Sequence, residues 1–132
     1  MWFCKNKSSV NKGQKGEKLA IAFLKKNGFE ILERNFKFKR FEVDIIAKKE
    51  ERLSFIEVKM EKISSAYRAD LKVDKSKREK IIKTARYYLT AIYKKEINYK
   101  FDILRVIEEG TSYEIKHLEN AFNELGEKNI IF

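Results

Sequence analysis

No proline occurs anywhere in this chain, and cysteine and histidine occur once each, as Cys4 and His117. One cysteine excludes an internal disulfide. One histidine beside one cysteine excludes a zinc site of the usual Cys/His type, and any Ser-His or Cys-His catalytic pair built on another histidine. Both residues therefore read as bystanders rather than ligands. A metal, if one is used, has to be held by carboxylates, which points to magnesium or manganese. No apolar run approaches the ~20 residues of a membrane span, and the opening MWFCK is too short for the core of a signal peptide. The expectation is a cytoplasmic protein with no membrane partner. The lack of proline, with the excess of Lys, Ile, Glu and Asn, is attributable to genome composition alone.

What is abundant is positive charge. Lysine and arginine number 30 against 20 acids, a formal net charge of +10, while 43% of the 132 residues are hydrophobic. That length suits one domain with a real core. The charge favours a polyanionic partner, although a generically basic protein has the same balance. Residues 1–12 read as a flexible basic tail and 13–132 as a single domain. A first helix is expected from Gln14 to Asn27, stopped by Gly28. Its apolar stripe is Leu19, Ala20, Phe23 and Leu24, extended by Ile21. Glu17 precedes Ala20, Ile21 and Leu24 by three, four and seven positions, so it points to the buried side. FEILERNF, residues 29–36, reads as a strand. A hairpin follows, then a polar connection over 61–74. A second helix is expected from Lys75 to Lys94 on the stripe Ile81, Ile82, Ala85, Tyr88, Leu89 and Ile92. Strands over 100–109 and 112–118 follow, with a short C-terminal helix starting near Glu119. The order α-β-β-β-α-β-β makes an α/β fold: a mixed five-stranded sheet flanked by helices, the second helix crossing over to a parallel fourth strand.

The hairpin, FEVDIIAKKEERLSFIEVK over residues 41–59, places charge inside its two most apolar runs. With the turn centred between Glu50 and Glu51, residue 48 pairs with 53, 46 with 55 and Asp44 with Glu57. Side chains alternate along a strand, so Glu57 and Lys59 share a face, and cross-strand partners share it too. This register gathers Asp44, Glu57 and Lys59. Two adjacent carboxylates repel unless a proton or cation lies between them. A divalent ion held by Asp44 and Glu57, with the Val58 backbone carbonyl as a third ligand, answers that requirement. Lys59 would then help orient a bound water and neutralise charge at a phosphate. A buried salt-bridge triad accounts for the same residues, and an acid in the first part of a helix is accounted for by the helix dipole.

An acid on the first helix, then Asp, then Glu-x-Lys on paired strands resembles the PD-(D/E)XK nuclease superfamily, with its restriction endonuclease-like core, and within it the archaeal Holliday junction resolvases. More narrowly, the chain resembles the YraN-like family of small bacterial proteins. The likeness spans roughly residues 13–122 and rests on GQKGEKLAIAFLKKNGFEILERN, FEVDIIA, LSFIEVKM, KREKIIKTARYYL, KFDILRV and HLENAF. It implies a metal-dependent endonuclease that hydrolyses phosphodiesters in DNA, branched or single-stranded, through a metal-activated water. By position it implies Glu17, Asp44, Glu57 and Lys59 as the catalytic set. Magnesium or manganese would sit on Asp44, Glu57 and the Val58 carbonyl, with Glu17 joining directly or through water. Lys77 matches a lysine able to touch phosphate. The chain departs from the family pattern at Phe41, where glycine is usual, and in SSAYRADL, where a Phe-Gly turn is usual. Resolvase-like nucleases often act as dimers, so a homodimer is compatible.

Residues 62–95 carry eleven Lys/Arg against three acids, a net of +8. Part of this is an ordinary solvated helix face. Next to a metal cleft it also suits a phosphate-tracking surface, with Lys75, Lys77 and Lys83 as DNA contacts and Tyr67 and Tyr87 available to stack on bases. RNA is as open as DNA on charge alone. The rival classes are a non-catalytic nucleic-acid-binding protein on a nuclease fold, and a subunit whose basic face meets a protein or an anionic membrane.

Overall fold

The computed structural model describes residues 12–63 and 73–130. The first helix, α1, spans Lys12–Lys26. It ends where Gly28 takes φ +89°, a left-handed conformation that costs glycine little. Strands β1 (Glu30–Phe38), β2 (Phe41–Lys49) and β3 (Arg52–Lys62) follow, then α2 (Lys75–Tyr87), β4 (Asn98–Glu109) and β5 (Ser112–Phe122). The sheet order is β1-β2-β3-β4-β5. β3 and β4 run parallel, and every other neighbouring pair is antiparallel. This is the expected α/β architecture and element order, with α2 as the crossover to the parallel strand.

Helices cover both faces. Leu19, Ala20, Ile21 and Leu24 of α1 pack with Ile45, Ile56, Leu104 and Val106. On the other face Ile81, Ile82 and Ala85 of α2 pack with Val43, Ile46, Phe55 and Ile103. β3, covered on both sides, is buried without interruption from Leu53 to Glu57, which is why it reads as a continuous apolar run rather than an alternating one.

The β2–β3 turn holds both Glu50 (φ 50°) and Glu51 (φ 59°) in the left-handed region. Two such residues give a tight hairpin whose twist matches its strands. The pairs 48 with 53 and 46 with 55 form as expected.

The second helix departs from expectation in its last turn. α-Helical bonding stops at Tyr87, and Tyr88–Tyr93 forms a π-helical segment closed by Lys94 at φ 62°. The Lys94 N–H donates to Leu89 O at 3.0 Å. The C-terminal helix expected near Glu119 is a correction. β5 instead continues to Phe122, and its register against β4 shifts by two residues between Leu118 and Phe122. Asn120, at φ 52°, fills that bulge, and its N–H donates to Asp102 Oδ1 at 2.8 Å. The chain then turns at Asn123–Gly126, and Asn129 N donates to Ala121 O at 2.9 Å. Of the expected N-terminal tail, residues 1–11 lie outside the described residues, and Lys12 already belongs to α1. SSAYRADL and Tyr67 also lie outside them.

Arg78, counted above with the basic stripe, is buried. Its Nε donates to Gly126 O and its Nη1 to Val73 O, both at 2.7 Å. It fastens the segment after β5 to the start of α2. Arg78→Ala leaves two carbonyls without a charged donor, each such bond contributing about 1.5–3 kcal/mol. Urea denaturation should show a loss of about 3 kcal/mol or more.

Candidate active site: the acid pair where β2 leaves β3

The β2–β3 ladder ends at Ile45↔Ile56. One step further the expected Asp44–Glu57 backbone pair does not form, but the two carboxyls remain neighbours. Here the backbone pairing is replaced by a side chain: Val58 N–H donates to Asp44 Oδ2 at 2.8 Å. The side-chain alternation of β2 breaks at the same point. Val43 lies in the α2-side core and Ile45 in the α1-side core, although two residues apart should share a face. Asp44 thus marks where β2 swings away from β3, and its carboxylate satisfies the N–H that the swing exposes.

Glu57 is nearly fully buried, at 4% exposure. Its Oε2 lies 3.7 Å from Lys59 Nζ and 3.3 Å from Lys77 Nζ. Lys77 is placed by the start of α2, where Asp74 caps the helix by accepting Lys77 N–H at 2.9 Å. Burial alone would lower the Lys77 pKa. The Glu57 carboxylate, with Asp44 and Glu42 behind it, outweighs burial and raises it. Lys77 is therefore part of the acid cluster, not simply a member of an open basic surface.

Burial pushes the Asp44 carboxyl up, and the Glu57 charge beside it pushes further; Val58 N–H and Lys77 oppose them only in part. The result is about 7. Two adjacent carboxyls out of water favour a proton or a cation between them.

Glu17 enters from α1. Gly16 allows this, because a Cβ there would meet Met60 Cβ at 3.1 Å and Sδ at 3.2 Å, so the helix rides close over β3. Glu17 Oε1 is buried with no hydrogen-bond partner among the described residues. Burial raises the Glu17 pKa, Asp44 and Glu42 add to it, and Asn35 and Arg34 pull the other way. The structure thus brings together Glu17, Asp44, Glu57, Lys59 and Lys77. Lys75 and Lys83 lie outside the cluster, exposed on α2. Val58, foreseen as a carbonyl ligand, meets Asp44 through its N–H.

His117 is more than a bystander. Its Nε2 lies 2.7 Å from Asp102 Oδ2, and its ring packs against Phe23 and Phe29. Asp102, His117 and Glu119 present ligand-type atoms within 4.8 Å of one another. Lys100 Nζ supplies the cation there, 2.8 Å from Asp102 and 2.5 Å from Glu119. Burial works to raise the Asp102 pKa, but hydrogen bonds from His117 and Lys100 overcome it and hold it low. This cluster was illegible in sequence because its members come from two strands paired across a bulge.

Fold and site together define an α/β protein with a mixed five-stranded sheet and a buried acid pair, flanked by lysines, at the break between two central strands. The chain belongs to the family described as Uncharacterised protein family UPF0102, whose model matches residues 16–106, a span that includes all five clustered residues. It is 42% identical over 113 residues to a UPF0102 protein of Clostridium acetobutylicum, covering 83% of this chain and 92% of that one. It is 45% identical over 108 residues to one from Campylobacter lari, covering 82% and 90%. It is 38% identical over 113 residues to one from Thermodesulfovibrio yellowstonii, covering 86% and 96%. The narrower, YraN-like resemblance is thereby borne out.

The shifted Asp44 predicts a pH dependence. Its folded pKa of about 7 lies above the ordinary 3.8. Between those values the native state keeps a proton that the unfolded chain releases, so stability falls as pH rises through this window and levels above it. In chelator, Asp44→Asn should raise the melting temperature more at pH 8 than at pH 5. Added magnesium should then stabilise the parent protein at pH 8 but not the variant. A variant less stable than the parent at pH 8 would contradict the assignment.

Proposed function

We propose that this protein is a metal-dependent endonuclease acting on DNA, with membership of the PD-(D/E)XK superfamily as the structural basis. One observation carries the reading: Asp44 and Glu57 lie side by side in a buried position, where burial first and the Glu57 charge second raise the Asp44 pKa to about 7. Two buried hard-oxygen donors, beside the unpartnered Glu17 oxygen, suit magnesium or manganese. Asp44, Glu57 and Glu17 would hold such an ion, which would add positive charge to that of Lys59 and Lys77 and would activate a water for attack on a phosphodiester.

The chain's own residues set the rest. Asp44 is fixed by Val58 N–H on Oδ2, so its carboxylate keeps one orientation against Glu57. Lys59, with its side chain 27% exposed, sits at the solvent edge of the pair, where a phosphate arrives. From there it neutralises charge developing on the phosphoryl oxygens. Lys77 Nζ, 3.3 Å from Glu57 Oε2, places a positive charge against the acid pair from the α2 side.

The rival reading is a nucleic-acid-binding protein without turnover. The Lys77–Glu57 contact at 3.3 Å favours it, because an ammonium already answers one of the two acids. The two are separated by incubating the protein with duplex, single-stranded and four-way-junction DNA in magnesium, manganese or chelator. Cleavage that needs the metal and is lost in Asp44→Asn supports the nuclease. Binding of DNA without cleavage under any metal leaves the binding protein in its place.

Lys59 gives a sharper division. Glu57 has two ammonium neighbours, so Lys59→Met still leaves it one. Stability should change by less than about 1 kcal/mol, the scale of a solvent-accessible ion pair. Cleavage should fall by about 100-fold, the scale of losing one electrostatic stabiliser, with DNA affinity in chelator nearly unchanged. Full cleavage by this variant would remove Lys59 from the chemistry.

A further inference from the structure

On the sheet face that carries the acid pair, the β1–β2 turn and the middle of α2 form an open concavity of about 580 Å³. Its walls include Phe38, Phe41 and Tyr87, and its rim is Lys39, Lys83 and Arg86. The Phe38 and Tyr87 rings stack at 4.4 Å between centroids and 19° between planes. Tyr87 remains 37% exposed. Lys39 Nζ stands 5.3 Å from the Phe38 centroid. Among the described residues no carboxylate forms an ion pair with Lys39, Lys83 or Arg86.

The stack of rings is accessible and bordered by three cations with no acid ion-paired to them among the described residues, Arg86 donating only to the Glu124 carbonyl at 3.4 Å. A buried aromatic cluster needs no charged rim, and a solvated basic face needs no rings. The combination matches a ligand with a flat apolar surface and a negative backbone. We infer that this concavity is a stacking platform for an unpaired base of single-stranded DNA, with Tyr87 and Phe41 meeting the base and Lys39, Lys83 and Arg86 the flanking phosphates.

Its position suits the proposed chemistry. Phe41 precedes Asp44 by three residues on β2, roughly 10 Å along the strand. Lys83 follows Lys77 by six residues on α2, about 9 Å along the helix. A strand seated on the platform therefore runs its phosphates toward the acid pair. The inference rests on the nuclease reading only for this direction. The binding itself stands on the rings and the cations.

The test separates charge from base. Affinity is measured in chelator, at fixed salt, for a single-stranded oligonucleotide and for an abasic strand of the same length and charge. The parent protein should bind the base-bearing strand about tenfold more tightly, the scale of one stacked base. Tyr87→Ala should lose most of that difference while leaving the abasic affinity unchanged. Tyr87→Trp, which keeps a ring, should retain it. Equal affinity of the parent protein for both strands, or no measurable affinity for either, would overturn the platform. So would an equal loss for both strands in Tyr87→Ala. Because no cleavage is required, base-dependent binding by a protein that cuts nothing would sink the nuclease reading alone. Metal-dependent cutting without base-dependent binding would sink the platform alone.

Discussion

The hydrogen bond from Val58 N–H to the Asp44 carboxylate is the contact on which the site depends. A central sheet cannot open between two strands without exposing backbone donors, and a buried unpaired donor costs about as much as a lost hydrogen bond. Asp44 removes that cost with a side chain and lets β2 leave β3 at Ile45↔Ile56. The gap leaves room beside the buried Glu57 for the lysines that meet it and gives Glu17, from the opposite helix, a way in.

The same device occurs a second time, and the comparison is informative. Asp102 accepts Asn120 N–H where β5 bulges away from β4, just as Asp44 accepts Val58 N–H. Around Asp102 the neighbours are Lys100 and His117, and its pKa is held low. Around Asp44 the nearest neighbour is another acid, and its pKa rises. Backbone geometry is similar in the two places and the electrostatics are opposite. The Asp102 cluster carries its own cation, so it is complete as a structural joint. The Asp44 pair has its cations on the Glu57 side, at 3.3 Å and 3.7 Å, and burial with the Glu57 charge raises the pKa on the Asp44 side. Under the proposed reading, a divalent ion would enter on the Asp44 side, where no ammonium is paired among the described residues.

Sequence reasoning reached this pair because hairpin register is local. Two strands joined by a two-residue turn have one pairing that buries both apolar runs, and Asp44 across from Glu57 follows from it. The inward position of Glu17 was legible for the same reason, since helical spacing is also local. Elsewhere the outcome depended on contacts distant in the chain. Arg78 looked like one more surface cation in a basic helix, yet the carbonyls of Val73 and Gly126 draw it inside. Lys77 belonged to the same run and is claimed by Glu57, which lies 20 residues earlier. The end of β5 looked helical because HLENAF carries no strand alternation. The bulge at Asn120, tied by Asp102, lets the strand continue through it.

These two lysine and arginine assignments change what the basic charge means. The run from 62 to 95 has a net charge of +8, but a cation contributes to a polyanion surface only if it is exposed and unmatched. Arg78 is buried against carbonyls, and Lys77 offsets an acid. Lys39 comes from outside the run altogether, brought beside Lys83 and Arg86 by the β1–β2 turn. The useful positive surface is therefore narrower than the linear count and is displaced toward Phe38, Phe41 and Tyr87. A duplex, whose bases are stacked inside, would meet only the cations of that surface and leave the rings idle. If the concavity takes nucleic acid as inferred, a strand with an unpaired base would engage both, so the distribution of charge over the rings, rather than its total, would discriminate between substrates.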